Sequence, residues 1–177
     1  MKSPAASVLL VCGSPSDLDL VLGCEEALGE LEIASAVRVL SAHRTPDETA
    51  EAVKSAEKEG FRIVIAFAGM SAALAGVAAA HTLLPVIGVP CASGALGGID
   101  AALSVLQMPP GTPVAAVAVD GARNAALLAA RILALGDTDL RQRLARRAAE
   151  DKKRYAPEAV SAEVEKRRKA RREKKKS

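Results

Sequence analysis

Apolar and polar positions follow one another in blocks along this chain. "SVLLVC" (7–12) is an uninterrupted, mostly branched apolar run, the pattern of a strand buried on both faces. It ends at Gly13, and a helical pattern follows over 16–32 with Val21, Leu28 and Leu31 on one side. "SAVRVL" (35–40) predicts a second strand. "PDETAEAVKSAEKEG" (46–60) predicts a helix, with Thr45 and Glu48 as a capping box, Pro46 at the first helical position and Gly60 as terminator. "RIVIAFA" (62–68) predicts the third strand and "SAALAGVAAAHTL" (71–83) an all-apolar helix. "PVIGVP" (85–90) predicts the fourth strand, and "GIDAALSVLQM" (98–108) a helix closed by Pro109 and Pro110. "PVAAVAV" (113–119) predicts the fifth strand, leading into the long helix "ARNAALLAARILAL" (122–135). Asp137 is placed to cap a last, amphipathic and basic helix.

Strands that are apolar throughout and alternate with helices predict an α/β fold, a parallel sheet covered on both faces. Ligands of such sheets bind outside the carboxyl ends of the strands. That rule selects four loops: 13–17, 41–45, 69–72 and 90–98.

Composition changes this picture in two ways. At 177 residues the chain fits one domain, yet its aromatic residues are only Phe61, Phe67 and Tyr155. A core of Ala, Val, Leu and Ile lets backbones approach closely but gains little area per residue. Its faces are expected to need another copy of the chain to finish burying them. Charge is uneven as well. Residues 1–138 carry 8 Lys and Arg against 14 Asp and Glu, whereas 139–177 carry 16 against 7. The division expected is a catalytic body over 1–138 and a basic helix and tail over 139–177. The last twelve residues, "KRRKARREKKKS", hold nine Lys or Arg and no aromatic side chain on which a base would stack. They read as a solvated or disordered tail and not as a specific nucleic-acid arm.

Cys12, Cys24 and Cys91 lie among apolar neighbours without metal-ligand spacing, which predicts buried thiols and a reducing compartment, the cytoplasm. The opening "MKSPAASVLLVCGSPSD" holds one lysine and an apolar run too short for a secretory leader. From 63 to 99 there is no Asp, Glu, Lys or Arg, but glycines and prolines cut the stretch into pieces too short to cross a membrane.

Of the four loops, "GSPSD" (13–17) joins a buried strand to a helix. Gly13 permits a tight turn, Ser14 and Ser16 supply hydroxyls, and the N–H groups at the helix start point at an anion. Asp17 is suited to accept hydrogen bonds from paired hydroxyls such as those of a ribose. Helix capping by Ser16 or Asp17 is the plainer alternative. "SAHRT" (41–45) places Arg44, shaped for a phosphate, beside His43, which takes or gives a proton near neutrality. Thr45 is expected to be spent on the helix cap. "AGMSAALAG" (68–76) offers a small-residue turn whose N–H groups, from Gly69 onward, can face a carboxylate or phosphate. Ser71 is expected to cap the next helix, or else to touch ligand. "GVPCASGALGG" (88–98) suits a loop lying against ligand. His81, inside an apolar helix, reads as packing or an interface hydrogen bond. There is no CxxC and no acidic metal cluster. The expected chemistry is proton transfer and positioning on a phosphorylated small molecule, with neither metal nor other cofactor.

"GSPSD", "SAHRTPD", "LPVIGVP", "LSVLQMPPGTPVAAVAV" and "NAALLAARIL", in this order, resemble the PurE family of de novo purine biosynthesis over about residues 7–140. The resemblance implies a three-layer αβα subunit, a flavodoxin-like doubly wound sheet with a C-terminal helical extension here, assembled into a homo-octamer with active sites between subunits. It implies a phosphorylated ribonucleotide and CO2 as small-molecule partners. Ser14, Asp17 and Arg44 would bind substrate, Asp17 at the ribose and Arg44 near the 5′-phosphate. Ser16 and Ser41 would assist at the phosphate, and His43 would carry the proton. Mutase-type members carry "AGGAAHLPG" where this chain has "AGMSAALAG", so that the family histidine falls on Ala73 and the proline on Ala75. Members that carboxylate aminoimidazole ribonucleotide directly have "AGRSNALSG"-like sequences there. "LPVIGVP", "QMPPG" and the arginine of "SAHRTP" resemble the mutase branch, which the resemblance favours. A non-catalytic flavodoxin-like module binding flavin mononucleotide is the rival from another class. The shortage of aromatic residues to sandwich a flavin weighs against it.

Overall fold

The computed structural model describes residues 6–174, and its centre is a five-stranded sheet, all parallel, in the order β2-β1-β3-β4-β5. β1 (Val8–Cys12), β3 (Ile63–Gly69) and β4 (Val86–Cys91) are the continuous apolar runs. They occupy the middle of the sheet because only there are both faces covered. β2 (Ser35–Val39) is an edge strand and is half-buried. β5 shrinks to Ala115–Ala116, well short of the strand expected over 113–119. It has one neighbour only, Pro113 before it has no N–H to give, and beyond Ala116 the chain leaves the ladder after one further bond, Val117 N–H to the Gly88 carbonyl at 3.2 Å.

Alternate residues of each strand feed two cores. Val8, Leu10, Cys12, Ile63, Ile65, Phe67, Ile87 and Val89 pack with α1 (Leu18–Gly29) and α5 (Ala122–Leu133). Leu9, Val11, Val64, Ala66 and Val86 face α2 (Pro46–Ala56), α3 (Ala73–His81) and α4 (Ile99–Leu106). The small core allows close approach: a Cβ on Gly88 would lie 2.4 Å from Val105 Cγ1, so α4 sits almost directly on β4. Val21, Leu28 and Leu31 are buried together as the period of the first helix requires. All three cysteines are free and buried, and burial pushes the Cys24 and Cys91 thiols up to about 12.

The α1 side of the sheet is closed a second time by α6 (Thr138–Arg154). Asp137 caps it, accepting from the N–H groups of Asp139 (3.0 Å) and Leu140 (2.9 Å), and Leu140 is buried. Arg147 and Arg123 both pair with Glu30, and the hydrogen bond from Arg147, aided by the hydrogen bond from Arg123 and the charge of both, holds its carboxyl below the usual carboxylate range. Arg143 donates to the Leu31 carbonyl at 3.0 Å. The α4 side is not closed in this way. Ile99, Leu103 and Leu106, spaced four and three residues apart, show more than half of their surface to solvent, as do Leu96 and Leu83.

Three local expectations need correction. The helix α2 has no capping box, because the Thr45 hydroxyl is turned back onto Ser41, accepting from its N–H at 3.0 Å and donating to its carbonyl at 3.2 Å. Ser71 does not cap α3, whose N-cap position is Ala72 with no side-chain bond. The tail, read as solvated or disordered, is solvated but helical as α7 (Pro157–Lys174). Acidic residues are interleaved with the basic ones, giving Glu163–Arg167 and Glu165–Arg168 pairs at 2.7 Å, and its residue types are good helix formers. Residues 175–177 of that tail, and 1–5 of the opening segment weighed against a leader, lie outside the described residues. No helix among the described residues is long and apolar enough to cross a membrane.

Candidate active site

The strand register brings the selected loops together. Cys12 lies opposite Val39 on one side and Phe67 on the other, and Gly69 lies opposite Cys91. The loops that leave β1, β2, β3 and β4 therefore rise side by side at one edge of the sheet. Between them is a cavity of about 400 Å3, within the usual range for a small-molecule site.

The first loop contributes Gly13, Ser14, Ser16 and Asp17 to its wall. After β1 the chain turns through one 3-10 turn, Pro15–Asp17, before α1 begins. Ser14, not Ser16 or Asp17, performs the capping here, its Oγ accepting from the Ser16 N–H at 3.3 Å and from the Ser16 hydroxyl at 2.9 Å. Asp17, at the start of α1, makes no side-chain cap bond and is half-buried. Burial raises its carboxyl above the ordinary value and the negative charge of Asp120 adds to this, against the opposing effect of the Ser16 hydroxyl. Its oxygens are thus available to donors from a ligand.

The second loop contributes Ser41, Ala42, His43 and Arg44. Its shape is held by the Thr45 side chain on Ser41, and the freed Ser41 hydroxyl accepts from the Arg44 backbone N–H (3.2 Å) and from Arg44 Nε (3.3 Å). Arg44 Nη2 donates across to the Gly13 carbonyl, tying this loop to the first. A guanidinium has five N–H donors, so three remain for an anion. His43 is exposed on the cavity wall. The His43 imidazole thus stands beside the Arg44 guanidinium in a cavity that also holds serine hydroxyls and the Asp17 carboxylate.

The third and fourth loops make the other wall with few polar side chains. Gly69, Met70, Ser71, Ala72, Ala73 and Leu74 line it, with Ser93 from the fourth. Ser71 is exposed there, and Ala73 occupies the place where the mutase-type pattern has histidine. Gly69 leaves room for Ser93, since a Cβ on it would fall 2.0 Å from Ser93 Oγ and 3.1 Å from Ser93 Cβ. Every residue expected at the site (Ser14, Ser16, Asp17, Ser41, His43, Arg44, Gly69 and Ser71) borders this one cavity. His81, the last residue of α3, does not. Sequence reasoning missed Ser93 and Met70, although the rule that selected the loops covered both. It also missed Asp120, whose carboxylate accepts from the Ala92 N–H at 2.8 Å. A signal for Asp120 was its place just beyond the fifth strand, a strand end left out of the search.

The AIR carboxylase family model matches residues 7–154, from the first strand through α6. An N5-carboxyaminoimidazole ribonucleotide mutase of Pyrococcus horikoshii is 46% identical over 158 residues, covering 89% of each chain. The mutase of the same name from Escherichia coli K12 is 47% identical over 145 residues, covering 81% of this chain and 86% of that one. The crystal structure of Treponema denticola PurE superposes with a TM-score of 0.73 at 30% identity, over 85% of this chain and 98% of its own. With a family match over most of its length and relatives near half identity over more than four-fifths of each chain, this chain belongs to the AIR carboxylase (PurE) family.

Proposed function

We propose that the protein is an N5-carboxyaminoimidazole ribonucleotide mutase of purine biosynthesis, moving a carboxylate from the exocyclic nitrogen of the ribonucleotide to ring carbon C4. The observation that carries this reading is the single cavity in which a proton carrier, His43, adjoins phosphate-grade donors, in a chain nearly half identical to proteins of that name. Arg44, Ser16 and Ser41 receive the 5′-phosphate, and Ser14 and Asp17 the ribose. The substrate carbamate breaks its N–C bond, His43 delivers a proton to the nitrogen, and aminoimidazole ribonucleotide and CO2 remain in the pocket. The electron-rich C4 then attacks CO2. The C4 proton returns to His43, restoring aromaticity and the starting protonation state. One group serves both halves because it gives a proton in the first and takes one in the second. Retaining CO2 beside C4 is an entropic contribution of the pocket, for which the small-residue wall of Gly69, Ser71 and Ala73 supplies the space.

The exposed stripe of Ile99, Leu103 and Leu106, with Leu96, supports assembly of identical subunits, an octamer in this reading. The free buried thiols support a reducing, cytoplasmic location. Residues 139–177 take no part in the chemistry, and no specific nucleic acid is a partner. One observation favours a second reading: with Ala73 in the cavity wall, direct carboxylation of aminoimidazole ribonucleotide by CO2 is the alternative. The deciding experiment offers purified protein the N5-carboxylated substrate, or aminoimidazole ribonucleotide with bicarbonate, and follows the C4-carboxylated product. Efficient turnover of the first alone supports the mutase, preference for the second supports the carboxylase, and product from neither defeats both.

A further inference from the structure

Asp120 stands outside the loops discussed so far and in an uncommon backbone conformation. Its φ is +56°, in the left-handed region that an ordinary L-residue rarely adopts. Asp tolerates the region better than most residues when its side chain finds a nearby hydrogen bond. Here both of its polar ends are used on one short piece of another element. The Asp120 N–H donates to the Pro90 carbonyl at 2.9 Å, and its Oδ1 accepts from the Ala92 N–H at 2.8 Å. The two bonds bracket Cys91, where β4 ends and the fourth loop begins. β5 has already left the sheet at Ala116, so Asp120 continues the pairing on that side of β4 after the ladder is lost.

What lies beyond the bracket is the site. Ser93, one residue after Ala92, lines the cavity, and its hydroxyl fills the space a side chain at Gly69 would need. Asp120 and Asp17 also border a second, more open cavity beside the first. We propose that Asp120 is a positioning residue for ribonucleotide binding: by bracketing Cys91 it seats the 92–98 loop, and Ser93 with it, against the cavity wall at Gly69. This rests on reading the cavity as the ribonucleotide site. A strained residue held by two bonds next to a binding loop is strain that the surrounding structure maintains for a purpose. The clamp needs an acceptor at Oδ1 and not a negative charge, so an amide suffices.

The test compares Asp120→Ala, Asp120→Asn and Asp120→Gly. Hydrogen exchange of the Ala92 amide, measured without substrate, is expected to quicken at least tenfold in Asp120→Ala and Asp120→Gly and to stay near the parent in Asp120→Asn. The KM for the ribonucleotide is expected to rise about three- to tenfold in the first two, with kcat within twofold, as the loss of one partly exposed hydrogen bond predicts. Asp120→Gly relieves the left-handed backbone, so its Tm is expected to match or exceed the parent's while KM still rises. That variant keeps the test decisive should Asp120→Ala fail to fold. An unchanged Ala92 exchange rate in Asp120→Gly, or a KM for Asp120→Asn as high as that of the alanine variant, would overturn the proposal. The exchange measurement needs no turnover, so an error in the reaction assigned above would leave that readout standing.

Discussion

The two walls of the crevice are built on opposite plans. Loops 13–17 and 41–45 present side chains: three serines, a carboxylate, an imidazole and a guanidinium, tied to each other through Arg44, Ser41 and the Gly13 carbonyl. The wall from 69–74, with Ser93, is mostly backbone and small side chains, Gly69, Ala72 and Ala73 among them. In the proposed reaction the first wall supplies charge and protons, and the second supplies volume. Removing atoms should therefore harm the first wall, and adding atoms should harm the second.

The largest effect is expected on the polar wall. His43→Asn should lower kcat by about 10²–10⁴-fold, the range for a lost general acid/base, while substrate binding by titration calorimetry stays near the parent value. Residual turnover within tenfold of the parent would remove the proton carrier from the account. Arg44→Ala should act on binding instead. Loss of a charged hydrogen-bonding partner for the phosphate is worth about 1.5–3 kcal/mol, or roughly a 10- to 100-fold rise in KM with kcat largely kept. A KM that does not move would place the phosphate elsewhere.

On the other wall the damaging change is an addition. Gly69→Ala puts a methyl 2.0 Å from Ser93 Oγ and 3.3 Å from the Cys91 carbonyl oxygen. Overpacking of this kind costs about 1–3 kcal/mol, to be read as a lower Tm together with a raised KM. A second change, Ser93→Gly, should return part of the loss because it removes the nearest obstacle. If the double variant is no better than the single one, the tight spot is not Ser93.

The smallest effect is expected away from both walls, where α6 clasps α1. The Glu30 carboxyl is held below its ordinary value of 4.5 by Arg147 and Arg123. The stability it contributes is present above that value and lost as pH falls through its lower, folded-state value. Glu30→Gln should therefore flatten the fall of Tm below about pH 4.5 and leave kcat and KM at pH 7 unaltered. Deleting 163–177 should likewise leave turnover unchanged. A fall in kcat after that truncation would give the basic helix a part in the reaction.

The contrast between the walls also marks what could be read in the sequence. Parallel strands covered on both faces need apolar residues throughout, so β1, β3 and β4 were legible as unbroken runs, and the carboxyl-end rule then selected the loops. His43 and Arg44 stood out because an imidazole and a guanidinium side by side at a strand end are conspicuous. The small-residue wall was legible as the "AGMSAALAG" turn and as an absence of charge over 63–99, without its partner Ser93. Ser93 is one serine in a flexible run, and nothing local tells it from a connector.

Hydrogen-bond choice was the part that local patterns misjudged. Thr45 and Ser71 carry side chains that favour helix starts, yet Thr45 turns to Ser41 and Ser71 faces the cavity. A hydroxyl bonds to whichever partner lies nearest in space, and a capping preference of about 1 kcal/mol is easily outweighed. The unbroken apolar runs, the helix periods and the Asp137 cap are properties of neighbours along the chain, and the sequence by itself determined them. Strand order, the early departure of β5 and the bracket of Asp120 around Cys91 were decided only in the folded structure. Each depends on which segments lie side by side, and that is settled by the packing of the whole sheet.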